Sequence, residues 1–303
     1  MRSRPFFRRI CFLVALTGVF FTNACTPETK TEGDGADTAV VTSADTSAAS
    51  SAQTPESVLA EMPPVSELPA LLELSGAVYT QNLLNKPDKA KNYTTTADKA
   101  ALNLGVYATD VGYLCVYGKT QPAITYIRSS QALADHLGVT NAFQAETQKR
   151  FEQNLSNRDS LTAIIDENMR STHQFLNESD RKNTGALAVT GGFIEGLYIS
   201  TGLIENYPKD VPANVRDQVL VGLVTAILKQ KKPLADLITL LKSSGGDAQV
   251  TEYVTSLTEL YQKFEAANFE EKLKNNQGDL LINDKDLAGI TAQVKQIRAK
   301  IVA

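Results

Sequence analysis

Tryptophan is absent from this 303-residue chain, and only two histidines and three cysteines occur in it. Of the cysteines, Cys11 and Cys25 lie near the amino terminus and only Cys115 lies in the body of the chain. A lone body cysteine excludes an internal disulfide and a thiolate metal cluster there, and is read as a small buried hydrophobe. His136 and His173 share no HxxxH or HExxH spacing, and neither belongs to a Glu-x-x-His pair. That removes the recognised zinc and di-iron patterns, so neither metal nor cofactor is expected. No GxSxG occurs, and Ser129 and Ser130 belong to no recognised nucleophile motif. Basic charge is also scarce. Setting aside the four arginines of the first nine residues leaves 26 basic against 34 acidic side chains, a net charge of −8. Diffuse negative charge argues against binding nucleic acid or docking a basic face on anionic lipid.

The amino terminus has a pattern of its own. MRSRPFFRRI carries four arginines and no acid, and ICFLVALTGVFF at 10–21 is an apolar run of twelve. Crossing a hydrocarbon core takes roughly 20 residues, so this run is a processing signal rather than a span. With TNAC at 22–25, residues 1–24 resemble a bacterial lipoprotein signal peptide. Ala24–Cys25 fit the lipobox, while Thr22 stands where Leu is usual and Asn23 also departs. Cys25 is therefore expected to carry the lipid (palmitate) that anchors the chain in a membrane of the cell envelope, the outer ahead of the inner. Plain secretion with cleavage after Ala24 is the alternative, and Arg8–Arg9 faintly resemble a twin-arginine signal. Residues 25–65 then form a tether rich in Thr, Ser, Ala and Asp, too polar through residue 58 to offset its ordering entropy. About 35 residues of such chain span roughly 30–35 Å.

From 66 to 303 the pattern is helical throughout, with no alternating strand run and no Asn-Gly or Asp-Gly hairpin between apolar runs. The expected fold is all-α, one bundle of about ten helices: 66–84, 96–117, 121–138, 141–155, 158–178, 181–205, 212–230, 232–243, 247–274 and 284–302. A shorter helix is expected around 56–62, stopped by Pro63–Pro64. Pro87, Gly118, Pro208 and Gly245–Gly246 mark turns. Asn157, Asp180 and Asp284 are expected N-caps, and Pro122 and Pro233 suit first turns. The 96–117 and 181–205 helices are apolar nearly all round and should be central. Gly105 with Gly112, and Gly192 with Gly196, share helical faces and imply close backbone approach.

ALNLGVYATDVGYL at 101–114 is echoed by ALAVTGGFIEGLYI at 186–199, an offset of 85 residues that pairs Asp110 with Glu195. Two repeated four-helix units would account for the echo. Asn103, Tyr107, Asp110 and Tyr117 fall on one helical stripe, Tyr113 lies three residues after Asp110, and Tyr198 three after Glu195. Two readings are open. The acids can be structural pins that accept from tyrosine hydroxyls, Arg128 or a helix N-terminus. Alternatively, with Asn103, Tyr107, Tyr113 and Tyr198, they line a paired-carboxylate pocket that shares a proton or grips a cation or amine. The first is preferred. His136 suits a helix C-terminus, and His173 is expected on a helix surface. NRDS at 157–160 reads as a helix start. The amphipathic tail 285–302, with Leu287, Ile290, Val294, Ile297 and Ile301 on one side, should close its own bundle.

KNYTTTADKAALNLGVYATDVGYLCVYGKT at 91–120, LADHLGV at 133–139, FEQNLSNRDSL at 151–161 and GGFIEGLYISTGLI at 191–204 resemble stretches of uncharacterised all-helical lipoproteins of Gram-negative bacteria, a family with no assigned activity. The resemblance implies a helical lipoprotein and carries no catalytic residues. The expectation is a membrane-tethered, periplasm-facing, non-enzymatic module that binds or scaffolds another envelope component, most simply a protein partner. A small-molecule or cation-binding domain is the alternative.

Overall fold

The computed structural model describes residues 62–140, 145–267, 269, 273–275 and 277–303. The leader, Cys25, the tether to residue 61 and the helix expected around 56–62 lie outside them, apart from Met62, which sits in a bend.

Among the described residues the domain is an all-α bundle of eleven helices. They are α1 (Glu67–Leu74), α2 (Ala97–Val116), α3 (Thr120–His136), α4 (Ala145–Gln153), α5 (Arg158–Glu178), α6 (Lys182–Glu205), α7 (Ala213–Leu228), α8 (Lys231–Ser244), α9 (Ala248–Ala266), α10 (Gly278–Ile282) and α11 (Lys285–Ile301). Caps explain several starts. Thr96, Asn157, Asp247 and Asp284 each accept a hydrogen bond from a first-turn amide, satisfying donors the helix itself cannot. Asp180, expected to cap α6, instead takes a left-handed backbone (φ 58°) that ends α5. Asp is among the few residues that tolerate that conformation.

Three expected boundaries move. The helix expected over 66–84 stops at Leu74 because Gly76 turns with φ 88°, and 77–96 continues as an irregular strap with 3₁₀ turns at Gln81–Leu83 and Pro87–Tyr93. The helix expected over 247–274 ends at Ala266, where Ala267 is extended. Residues 62–65, assigned to the tether, pack against the domain: Met62 and Val65 lie on the core.

Helices α2 and α6 are the centre of a single apolar core. Every residue of α2 from Ala100 to Val116 is buried. Helix α6 is long and apolar enough to cross a membrane, yet 83% of its apolar window is buried inside the domain. The two helices that carry the sequence echo therefore pack on each other. Their crossing depends on absent side chains: a Cβ at Gly105 would lie 1.9 Å from the Ala188 carbonyl oxygen, and one at Gly191 would lie 1.8 Å from that of Leu102. Gly192 also joins this contact, while Gly112 lies under Val65–Ser66 and Gly196 under Leu68.

Alanine is normally about 1 kcal/mol better than glycine inside a helix. Here the clash is with backbone, which cannot step aside. Gly191→Ala should lower stability by about 2 kcal/mol or more. In contrast Gly289→Ala on α11, where nothing lies within 4 Å of the new methyl, should raise it by about 0.5–1 kcal/mol. Urea denaturation midpoints of the two variants check the contrast.

Candidate functional site

The tight crossing brings the two echoed acids together. Asp110 and Glu195 are both fully buried (0% exposed), and their carboxyl groups are neighbours close enough for a protonated Asp110 to donate to Glu195. Their cationic partner is not the expected Arg128 but Arg298 on α11, which the local sequence pattern does not mark. The Arg298 Nε donates to Glu195 Oε2 at 2.8 Å and its Nη2 to Oε1 at 3.0 Å, a bidentate pair. The guanidinium also lies 4.1 Å over the Tyr198 ring, so Tyr198 contributes its π-face rather than its hydroxyl.

Protonation follows from this geometry. Burial, then the neighbouring Glu195 charge, raise the Asp110 pKa well above the ordinary carboxyl value; Arg298 and the Asn85 amide oppose this only in part. Burial also raises Glu195, but Arg298 and the hydrogen bond from Asp110 pull it back toward the charged form. Burial works against the Arg298 charge, and Glu195 more than compensates. The consistent state is a neutral Asp110 donating to an ionised Glu195, which is clasped by Arg298. It also accounts for Asp110 Oδ1, which no ordinary donor reaches, while Oδ2 accepts from the Asn85 N–H at 3.2 Å. One negative and one positive charge then cancel inside the core.

The tyrosines of the α2 stripe have equally definite tasks. Tyr117 donates to the Ala77 carbonyl (2.9 Å), Tyr113 accepts from the Thr80 N–H (2.9 Å), and Tyr107 donates to the Lys86 carbonyl (2.6 Å). With Asp110 at Asn85, these residues form an antiparallel ladder of side chains on backbone groups of the irregular strap, supplementing the few hydrogen bonds of its own 3₁₀ turns. Asn103 donates to the Ile301 carbonyl at 2.8 Å, and Tyr93 on the strap donates to that of Val302 at 3.2 Å, fixing the end of the chain. All six residues of the expected paired-carboxylate pocket thus lie in or beside one polar layer. Within it the two acids are joined to each other and to Arg298.

A separate cleft of about 120 Å³ opens on the other side of α2 and α6, and neither acid lines it. Helix α5 contributes Asp166, Met169, Arg170 and His173, and α6 contributes Val189, Gly192, Phe193 and Gly196. Each set follows the i, i+3, i+4, i+7 spacing of one helical face. Met62–Val65 form the roof and Thr109 of α2 part of the floor. Here the expectation for His173 is overturned: it is 7% exposed rather than on a surface. Gly185 on α6 leaves room for its imidazole, since a Cβ there would lie 3.1 Å from Nε2. Burial pushes its pKa down to about 4. The signal was present, because His173 is four residues after Met169 and three before Leu176, both apolar positions of α5. His136, by contrast, is the exposed last residue of α3. Among the described residues no three potential metal-ligating side chains converge, and Cys115 is fully buried with its thiol pKa pushed up to about 12.

The carboxyl layer predicts a pH response. A raised folded-state pKa means the folded protein holds its proton where the unfolded chain has lost it. The stability this contributes is complete below the unfolded values, near 3.8 for Asp110 and 4.5 for Glu195, and falls as pH rises through the raised ones. In Asp110→Asn the amide still donates to Glu195 and accepts from Asn85. This variant should match the parent near pH 4 and exceed it at pH 8. Arg298→Ala strands a buried carboxylate and should cost about 3–5 kcal/mol. Denaturation midpoints from pH 4 to 9 test both, and a loss at pH 8 in Asp110→Asn would overturn the neutral assignment.

No protein-family model, curated protein or solved structure matches the chain.

Proposed function

We propose that this protein is a lipid-anchored, periplasm-facing helical module that acts by binding, without catalysis. The observation that carries this reading is the order of segments along the chain. A lipoprotein-like signal ends at Cys25, a polar stretch follows, and the helical domain takes over by residue 62. Such a tether holds a domain near a membrane without laying it on the surface. The chemistry of the domain supports the binding half of the reading. The ionisable groups at its centre neutralise one another, as structural groups do, instead of facing a space where a substrate could react. Anchorage in the outer membrane and an envelope protein as partner belong to the same proposal.

The test is mass spectrometry of the amino-terminal peptide together with fractionation of cells making the full chain. Acylated Cys25 and a membrane-bound chain are expected, with release to the soluble periplasmic fraction in Cys25→Ser. An unmodified peptide beginning at Cys25, or a membrane-bound Cys25→Ser chain, would overturn lipid anchoring. Deleting 26–58 should then leave folding intact and impair function by shortening the domain's reach.

A further inference from the structure

We propose that the cleft beneath Met62–Val65 is the docking site for the end of the chain's own tether, with the Leu59 side chain seated among Met169, Val189 and Phe193. The inference goes beyond the anchoring proposal and does not depend on it, because Leu59 and the cleft belong to one chain however that chain is attached.

Three observations carry it. The first is an unfinished wall. Between Thr184 and Ile204 every residue of α6 is buried except Val189, Phe193 and Tyr198. Tyr198 has the Arg298 guanidinium over its ring. Val189 and Phe193, about one helical turn apart, are half-buried apolar side chains, and both line the cleft. The second observation is the course of the chain. Met62, the first of the described residues, is itself part of the roof. Asp166 on the α5 wall clamps the same segment by accepting from the Ser66 N–H and hydroxyl. Leu59 stands three residues before Met62, and three residues of chain span at most about 11 Å. Leu59 therefore cannot leave the neighbourhood of the cleft, and seating it is an intramolecular step favoured by high effective concentration. The third observation is fit. A dry apolar cavity of about 150 Å³ accepts one benzene ring, so a cleft of about 120 Å³ suits one branched aliphatic side chain. Between Cys25 and Met62 the large apolar residues are Val40, Val41, Val58 and Leu59, and only the last two are within reach. A docked Leu59 completes the α6 wall and closes the cleft to other apolar ligands, which would have to displace it.

The chain's methionines make the test direct: apart from Met1 they are Met62 and Met169, and both line the cleft. Methyl NMR spectra of the purified full chain, labelled at Met and Leu, should show a nuclear Overhauser contact between Leu59 and Met169. Leu59→Asp should abolish that contact and move the Met169 signal. Val41→Asp, in a part of the tether beyond reach of the cleft, should leave both methionine signals unmoved. Val189→Phe, at a half-buried position, should fill the cleft and send the Leu59 methyl signals to their unfolded-chain positions. Absence of the Leu59–Met169 contact in the parent protein, or a Met169 signal that responds alike to both Asp variants, would overturn the proposal. A contact found only between differently labelled copies would also overturn it, and would assign the cleft to a second molecule. Should Val189→Phe fail to fold, the contact in the parent protein still decides it.

Discussion

Where α2 and α6 cross, the Leu102 and Ala188 carbonyl oxygens occupy the space that side chains at Gly191 and Gly105 would need. Backbone contact at that point sets the spacing of everything else in the core. It places two helices closer than ordinary side chains allow, and it fixes their relative rotation, because only one face of each lacks side chains there. Asp110 and Glu195, five and four residues beyond Gly105 and Gly191, then have to meet. A helix pair held apart by leucines would leave each acid to find its own solvent or cation. Here the acids reach each other first, and the sharing of a proton is a consequence of the glycines.

The shared proton in turn explains the order of the polar layer. Two ionised carboxylates in contact inside a core would face both desolvation and mutual repulsion. A single guanidinium can neutralise only one of them. The arrangement resolves this by giving Arg298 both oxygens of Glu195 and leaving Asp110 protonated. A neutral Asp110 can donate toward Glu195 and still accept the Asn85 amide, which anchors the strap. The last helix is held from the same layer, through Arg298, Asn103 and Tyr93. One polar stratum therefore joins the central pair, the irregular strap and the end of the chain, segments that hydrophobic burial alone would bring together without fixing their register.

Much of this was legible in the sequence, for reasons that differ by residue. The echo marked Asp110 and Glu195, and the tyrosine spacing marked the stripe, because helical periodicity is local information. Asn157 and Asp284 were readable as caps for the same reason. Arg298 was not found, though it lies four residues after Val294 and three before Ile301, at the edge of the apolar stripe of α11. A charged residue there reads as solvated until a buried partner is known, and the partner lies over a hundred residues away. The first part of the strap, 77–84, reads as helix because its backbone partners include side chains of α2, which no local pattern announces. His173 was misplaced because Gly185, which makes room for it, belongs to another helix.

The two polar features beside α2 and α6 invite different readings, and hydrogen-bond satisfaction decides between them. Thr109 and Asp110 are consecutive, yet they face opposite regions: Thr109 donates to the Gly192 carbonyl on the cleft side, and Asp110 joins the carboxyl layer. On the Asp110 side each charge has its counter-charge and the protonated acid has its acceptor. Removing a member there exposes a cost and reveals no vacancy. On the Thr109 side the wall is the same rigid helix pair, and it carries the buried His173 imidazole, which has no side-chain partner. A buried group whose partners are all present contributes to the fold. His173 is instead held by packing on Gly185 and kept neutral by burial, so the two sides of the same helix pair bury polar groups in two ways, one by pairing charges and one by removing the charge.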